Sequence, residues 1–364
     1  MSLAFILKKV CPFVPSLFFG LSLLFALLLS YAPITAAALP AVTAARYTVT
    51  DLGPLPAVSD EVALSLNDAG QVGFWQSSGG VVHAAMWEKG KARDLGVPQG
   101  FISSIARAIN RSGQVIGWAT TSRNLVDSLA VTHACLFATG GKVTDLGTLG
   151  GRNSQAFGIN SRGQIVGGSL RADGNRHAFL YTAGKMTDLG TLPGGKFSQA
   201  YAISETGTVV GISEIDHAAV HACLWQQGKV TDLGALPGGH VSLGTAINRS
   251  GAAAGAAEAG NEYHATLYAL GKVRDLGTLG SDPAAVAGLN DKGQAVGASN
   301  LSTIVRHAFL YDGGRMTDLN TLIPADSSWT ILTATAINGH GQIVGTARRS
   351  HDLTHAVLLT QHHP

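Results

Sequence analysis

SQAFGINSRGQIVGGSLRADGNRHAFLYTAGKMTDLG, residues 154–190, contains four short apolar runs, each closed by a Gly, Asn or Ser turn signal. Runs of that length, so punctuated, read as β-strands, here called a to d. Between a and b stands Asn160-Ser161-Arg162-Gly163, with Asn where its side chain can bond the backbone and Gly where a positive φ costs nothing. Between c (HAFLY) and d (MTDLG) stands Ala183-Gly184-Lys185, whose glycine can supply the left-handed residue of a hairpin turn or of a bulge beside it. Alternation along strand c sends Ala178 and Leu180 to one face and Phe179 and Tyr181 to the other, so both faces are apolar and both need cover.

The same stretch recurs along the chain. Strand d ends on Asp51, Asp94, Asp145, Asp188, Asp232, Asp275 and Asp318. The turn after strand a falls at Asn67, Asn110, Asn160, Ser204, Asn248, Asn290 and Asn338. Strand c opens on His83, His133, His177, His221, His264, His307 and His355. The aspartates are spaced by 43, 51, 43, 44, 43 and 43 residues, the period of a four-stranded propeller blade apart from one insertion. The array begins on a lone strand d (RYTVTDLG, 46–53) and ends on a lone strand c (HAVLLT, 355–360). In an open solenoid, the competing architecture, these halves would be bare edges, whereas in a ring they pair. The prediction is an all-β fold: a seven-bladed β-propeller over residues 46–360, closed by one N-terminal and three C-terminal strands. The long d-to-a connections place strand a innermost.

With these motifs in hand, the chain resembles the HAF family of extracellular repeat proteins, whose motif stands unaltered at His177-Ala178-Phe179 and His307-Ala308-Phe309. The resemblance covers residues 46 to 360. Ala85, Cys135, Cys223, Thr266 and Val357 replace the Phe, Ser204 replaces the turn Asn, and Asn320 replaces the Gly of the last DLG. Ser204 keeps a side-chain oxygen for its turn, and Asn tolerates the left-handed conformation. The resemblance implies an exported bacterial protein of no established activity and carries no catalytic residue across.

Residues 1–38 carry Lys8 and Lys9, an apolar run from Leu17 to Leu29 and Ala36-Ala37-Ala38, the layout of a signal peptide. The run is shorter than a membrane-spanning helix needs. A short linker, 39–45, and a tail, 361–364, flank the repeats. Removing the two leader lysines from 25 basic residues leaves 23 against 23 acidic ones. That balance argues against nucleic acid as a partner; the expected protein is a secreted, extracellular or periplasmic monomer with no membrane span after cleavage. Cys135 and Cys223 occupy equivalent positions of non-adjacent copies, too far apart for a disulfide, and read as core residues.

Residues that repeat once per blade cannot converge on one metal ion. The histidines and the DLG aspartates are therefore expected to bond backbone or each other at a blade edge. Glu214, Asp216, His217 and His221 lie on two hairpin strands, with no helix face to gather ligands. DLGTLGG lacks the Lys and following helix of a phosphate-binding loop. No cofactor, metal or catalytic residue is predicted.

Function is expected where the copies differ. From the strand b Gly to the motif His the interval is 9 or 10 residues, except for 16 between Gly117 and His133. That insert includes Trp118, Arg123, Asn124, Asp127 and Leu129. From Asp to turn residue the interval is 15 or 16, except for 20 between Asp318 and Asn338, a connection carrying Asp326 and Trp329. Both loops should open on one face, where a Trp beside polar groups suits a glycan or protein ligand. An enzyme, such as a polysaccharide lyase or hydrolase acting at the channel mouth, and a purely structural envelope component are the alternatives.

Overall fold

The computed structural model describes residues 46–55, 64–125, 127–138, 140–216, 219–269, 271–349 and 353–362. The predicted signal peptide and linker lie outside the described residues. Among these, every regular element except one 3-10 turn, Leu319–Thr321, is a β-strand, and no helix is long and apolar enough to cross a membrane.

Seven four-stranded antiparallel sheets form a β-propeller. Blade 3 shows the unit: strands Gly150–Ile159, Ile165–Arg171, Arg176–Thr182 and Lys185–Gly190 pair in chain order. The seventh sheet runs Tyr47–Pro54, His355–Gln361, Ile343–Arg349, Trp329–Ile337, so the N-terminal strand is its strand d. Asp51 pairs with Val357 there just as Asp188 pairs with Phe179 in blade 3. Strand a is innermost: the strands a of successive blades touch one another all round the ring, the seventh against the first.

Turn chemistry acts as the residue types require. Gly163 takes φ 73° and its N–H donates to the Asn160 carbonyl, while Asn160 Oδ1 accepts from Arg162 and Gln164 N–H. In the c–d hairpin Ala183 and Gly184 both take positive φ, 51° and 82°, as a two-residue turn of right-handed twist demands. A bulge near the end of strand a presses its backbone onto strand b. An added Cβ on Gly117, Gly167, Gly211, Gly255, Gly297 or Gly345 would collide with a strand a carbonyl, which is why strand b carries Gly mid-run.

The two faces of each sheet pack into different seams. Ala178 joins Ala200, Val209 and Cys223 against blade 4, while Phe179 joins Ile116, Ala134 and Ala156 against blade 2. Along the inner wall, Leu64, Ile105, Phe157, Tyr201, Leu243 and Ala285 belong to one contiguous apolar cluster. Cys135 and Cys223 are free, buried in separate seams, and burial pushes the Cys135 thiol up to about 12.

Candidate functional site

Strands b and c turn at the same end of each blade where strand d hands over to the next strand a. At this hairpin end the motif residues meet. Nδ1 of each histidine lies 2.6 to 2.9 Å from a carboxylate oxygen of its own blade's aspartate: His83 and Asp94, His133 and Asp145, His177 and Asp188, His221 and Asp232, His264 and Asp275, His307 and Asp318, His355 and Asp51. The last pair joins residues 304 positions apart and so ties the ring's two ends. Each aspartate also accepts the backbone N–H two residues on, at 2.6 to 2.9 Å. The pair thus spans the bulge at DLG through Nδ1 of the imidazole.

Asn320 corrects the reading of the last DLG. It is not left-handed: Asp318 caps the 3-10 turn Leu319–Thr321 instead. Asn320 Oδ1 accepts from Ile331 N–H and its Nδ2 donates to the Ile331 carbonyl, so its amide stitches the long connection to strand a of blade 7. A glycine could not do so.

The electrostatics at this end are mild. Burial alone would push the His264 imidazole down; its bonds to Asp275 and Glu262 outweigh that, and its pKa sits above the ordinary value. Burial likewise pushes the Asp51 carboxyl up, but the bonds from His355 and Gly53 N–H bring it below the usual range. Among the described residues no group of three or more His, Cys, Asp or Glu could hold a metal ion; His217 and the Asp216 side chain lie outside them.

The loop residues divide. Trp118 is not in the insert: it lies in strand b of blade 2, Val115–Thr120, pairs with Ala134, and is 4% exposed. Gly117 is a mid-strand residue, and three further strand positions, Trp118, Ala119 and Thr120, follow it before the chain leaves the sheet. The Trp118 ring packs against Phe157, whose ring in turn meets Tyr201, at 5.9 and 5.6 Å. Arg123, Asn124 and Asp127 are exposed in the insert. Its base is closed by Thr121 N–H donating to the Val131 carbonyl, and Arg152 of blade 3 donates to the Leu129 carbonyl.

Trp329 opens strand a of blade 7 and is half-buried. The Arg349 guanidinium lies 4.2 Å from its ring centroid, and the His355 ring meets it edge-on at 5.4 Å. Asp326 is exposed in the connection before it. Blade 1 separates the insert of blade 2 from Trp329 of blade 7, so the two candidate patches share an end of the ring but not a blade seam.

Two sets of contacts escaped the sequence reading. At the opposite end, Nδ2 of each turn Asn donates to the carbonyl of the next blade's turn residue: Asn67 to Asn110, Asn110 to Asn160, Asn160 to Ser204, Asn248 to Asn290, Asn290 to Asn338, and Asn338 back to Asn67. Ser204 breaks this belt, its hydroxyl turning to Thr206 and accepting from Thr208 N–H. The signal was present as Gln four residues after most of the Asn turns, since that Gln Oε1 takes the second Asn proton. In addition, Ser104, Ser154, Ser198 and Ser242 each accept from the motif Ala N–H of the preceding blade and donate to its DLG glycine carbonyl.

No protein-family model matches the chain, and no curated protein sequence does. Solved structures do match in shape. The fold is that of known β-propellers. The β-propeller domain of the Trilobed protease from Pyrococcus furiosus superposes with a TM-score of 0.51 at 9% identity, over 87% of this chain and 97% of that one. A Mycobacterium tuberculosis puromycin-hydrolyzing peptidase gives 0.52 at 12% identity, over 87% of this chain and 54% of that one. A puromycin hydrolase mutant gives 0.52 at 14% identity, over 84% and 53%. The chain spans about half the length of these two hydrolases. At such identities the likeness is one of fold. The Pyrococcus domain is described as having an open velcro topology, whereas here Tyr47–Pro54 pairs with His355–Gln361 and closes the ring.

Proposed function

We propose that the protein is an exported, non-enzymatic recognition propeller of the HAF repeat type, acting as a monomer and binding a glycan or protein ligand at its hairpin end. The observation that carries this is Trp329. An indole held between the Arg349 guanidinium and the His355 ring, beside exposed Asp326, Ser328 and Thr330, is a preset aromatic and cationic contact, the pairing that dominates binding hot spots.

The test is a binding screen of the purified protein against polysaccharides and cell-surface glycans and proteins, with product release followed in the same wells. Binding without turnover is expected, weakened at least about tenfold by Trp329→Ala with the melting curve little changed. Equal binding by that variant would remove the site assignment, and turnover would replace the reading with an enzyme.

A further inference from the structure

The seam between blades 3 and 4 departs from the rest of the ring. The strand b residue that pairs with the motif alanine is Trp75, Trp118, Ile212, Ala256, Ala298 or Thr346 in six blades, and Gly168 in blade 3. The room left by that glycine is used. A Cβ there would stand 3.0 Å from Arg176 Nη1 and 3.1 Å from Gln199 Oε1, so a cation and an amide flank one point.

Arg176 opens strand c at the b–c hairpin. The residue as a whole is partly exposed, but its guanidinium turns inward, and burial pushes its pKa down to about 10, which leaves it charged at neutral pH. Nη1 donates only two long bonds, both 3.4 Å, to Gln155 Oε1 and the Gly168 carbonyl. Both acceptors are neutral. Among the described residues no carboxylate forms an ion pair with it, although Arg171, in the same hairpin, reaches Asp173 and Asp188. Gln199, on strand a of blade 4, is fully buried, and neither Oε1 nor Nε2 has a hydrogen-bond partner. A buried cation without a counter-ion beside a buried amide without partners is costly on both counts. The strand b residue here is apolar in blades 1, 2, 4, 5 and 6, and in blade 7 the Thr346 hydroxyl bonds that of Thr333, so none of those blades buries a cation there.

We propose that Arg176, Gln155 and Gln199 form a binding site for a carboxylate, the group shared by a uronic acid residue and a small hydroxy acid. The guanidinium fork matches a carboxylate with two parallel N–H donors. Gln199 Nε2 supplies a further donor, and its Oε1 accepts from a hydroxyl on the neighbouring carbon. Arg176 sits at the hairpin mouth, so the ligand enters from that end and the guanidinium exchanges its two long neutral bonds for charged ones. This site lies on blades 3 and 4, apart from Trp329 on blade 7, and stands or falls separately from it.

Calorimetric titration of the purified protein with sodium glucuronate, sodium lactate and glucose tests the proposal. At least one carboxylate should bind saturably in the millimolar range or tighter and glucose should not; glucuronate alone points to a sugar acid, lactate as well to a small hydroxy acid. Arg176→Met and Gln199→Leu should each weaken binding at least tenfold. Gln199→Leu should also melt about 2 °C or more higher, because an unsatisfied amide is gone. Should Arg176→Met fail to fold, Arg176→Lys, which keeps the charge but loses the fork, takes its place with the same expected loss. Absence of saturable heat with both carboxylates, equal binding of glucose, or binding unchanged by these variants overturns the proposal.

Discussion

The two ends of the propeller are built from the same repeat but constrained differently. At the a–b turn end, the Asn belt links blade to blade through buried amides, and no a–b turn departs in length. At the hairpin end, each His–Asp pair closes within its own blade, and the loops between them are free to change. The belt bonds the turn residues themselves and so constrains turn length, whereas the His–Asp pairs and the serine clamps that cross between blades hold strand ends and leave the loops beyond them open to variation. That difference is why the insert of blade 2 and the long connection before Trp329 both sit at the hairpin end.

Cutting the belt should have the largest effect. Asn338 donates to the Asn67 carbonyl across the closing seam and to Gln342, and accepts from His340 and Gln342 N–H. Asn338→Ala leaves several of these buried groups unpaired and should cost about 3 kcal/mol, read as a lowered denaturant midpoint. Repairing the one break is the converse experiment. Ser204→Asn combined with Thr208→Gln supplies the missing donor toward Asn248 and should stabilise by about 1 kcal/mol; a destabilised double variant would show that the seam between blades 4 and 5 is not shaped for the link.

A single hairpin-end pair should matter less. His221→Ala removes one half-buried bond within one blade and should cost about 1 kcal/mol or less, so a loss equal to that of Asn338→Ala would erase the contrast between the ends. The smallest effects are in pH dependence, and their signs oppose. Asp51 and Asp68, both at the closing seam, are held below the usual carboxylate range. Their stabilisation is complete above the unfolded value near ~4 and is lost as pH falls through the lower folded values. His264 is raised, so its contribution is complete below ~6.5 and is lost as pH rises through the folded value. Asp51→Asn should flatten the acid limb of a stability curve, and His264→Gln the limb that begins above ~6.5.

The blade count, the four strands of each unit and the closing pair were legible in the sequence, because turn residues and strand alternation are local and because two half-units at the ends of an array imply a ring. What crosses between blades was not. The Asn belt and the serine clamps join residues 20 to 50 apart or more, and a turn Asn reads the same whether or not its second face bonds a neighbour. Trp118 was misplaced for a physical reason: a glycine reads as the end of a strand, whereas Gly117 is there because a bulged carbonyl of strand a leaves no room for a Cβ. The polar seam at Gly168 was hidden likewise, since only the ring brings Arg176 of one blade to Gln199 of the next. The His–Asp geometry followed more directly, as both residues start or end strands of one hairpin.

The central claim is that the repeated contacts belong to the fold and that recognition lies where copies differ. It is tested most directly by one variant carrying the short blade 3 hairpin in place of residues 121–131 together with Trp329→Ala, read in both a thermal melt and the polysaccharide and protein screen. The account predicts a melting temperature within about 2 °C of the parent and loss of the ligand that the parent binds. Full binding by this variant, or collapse of its fold, would contradict it.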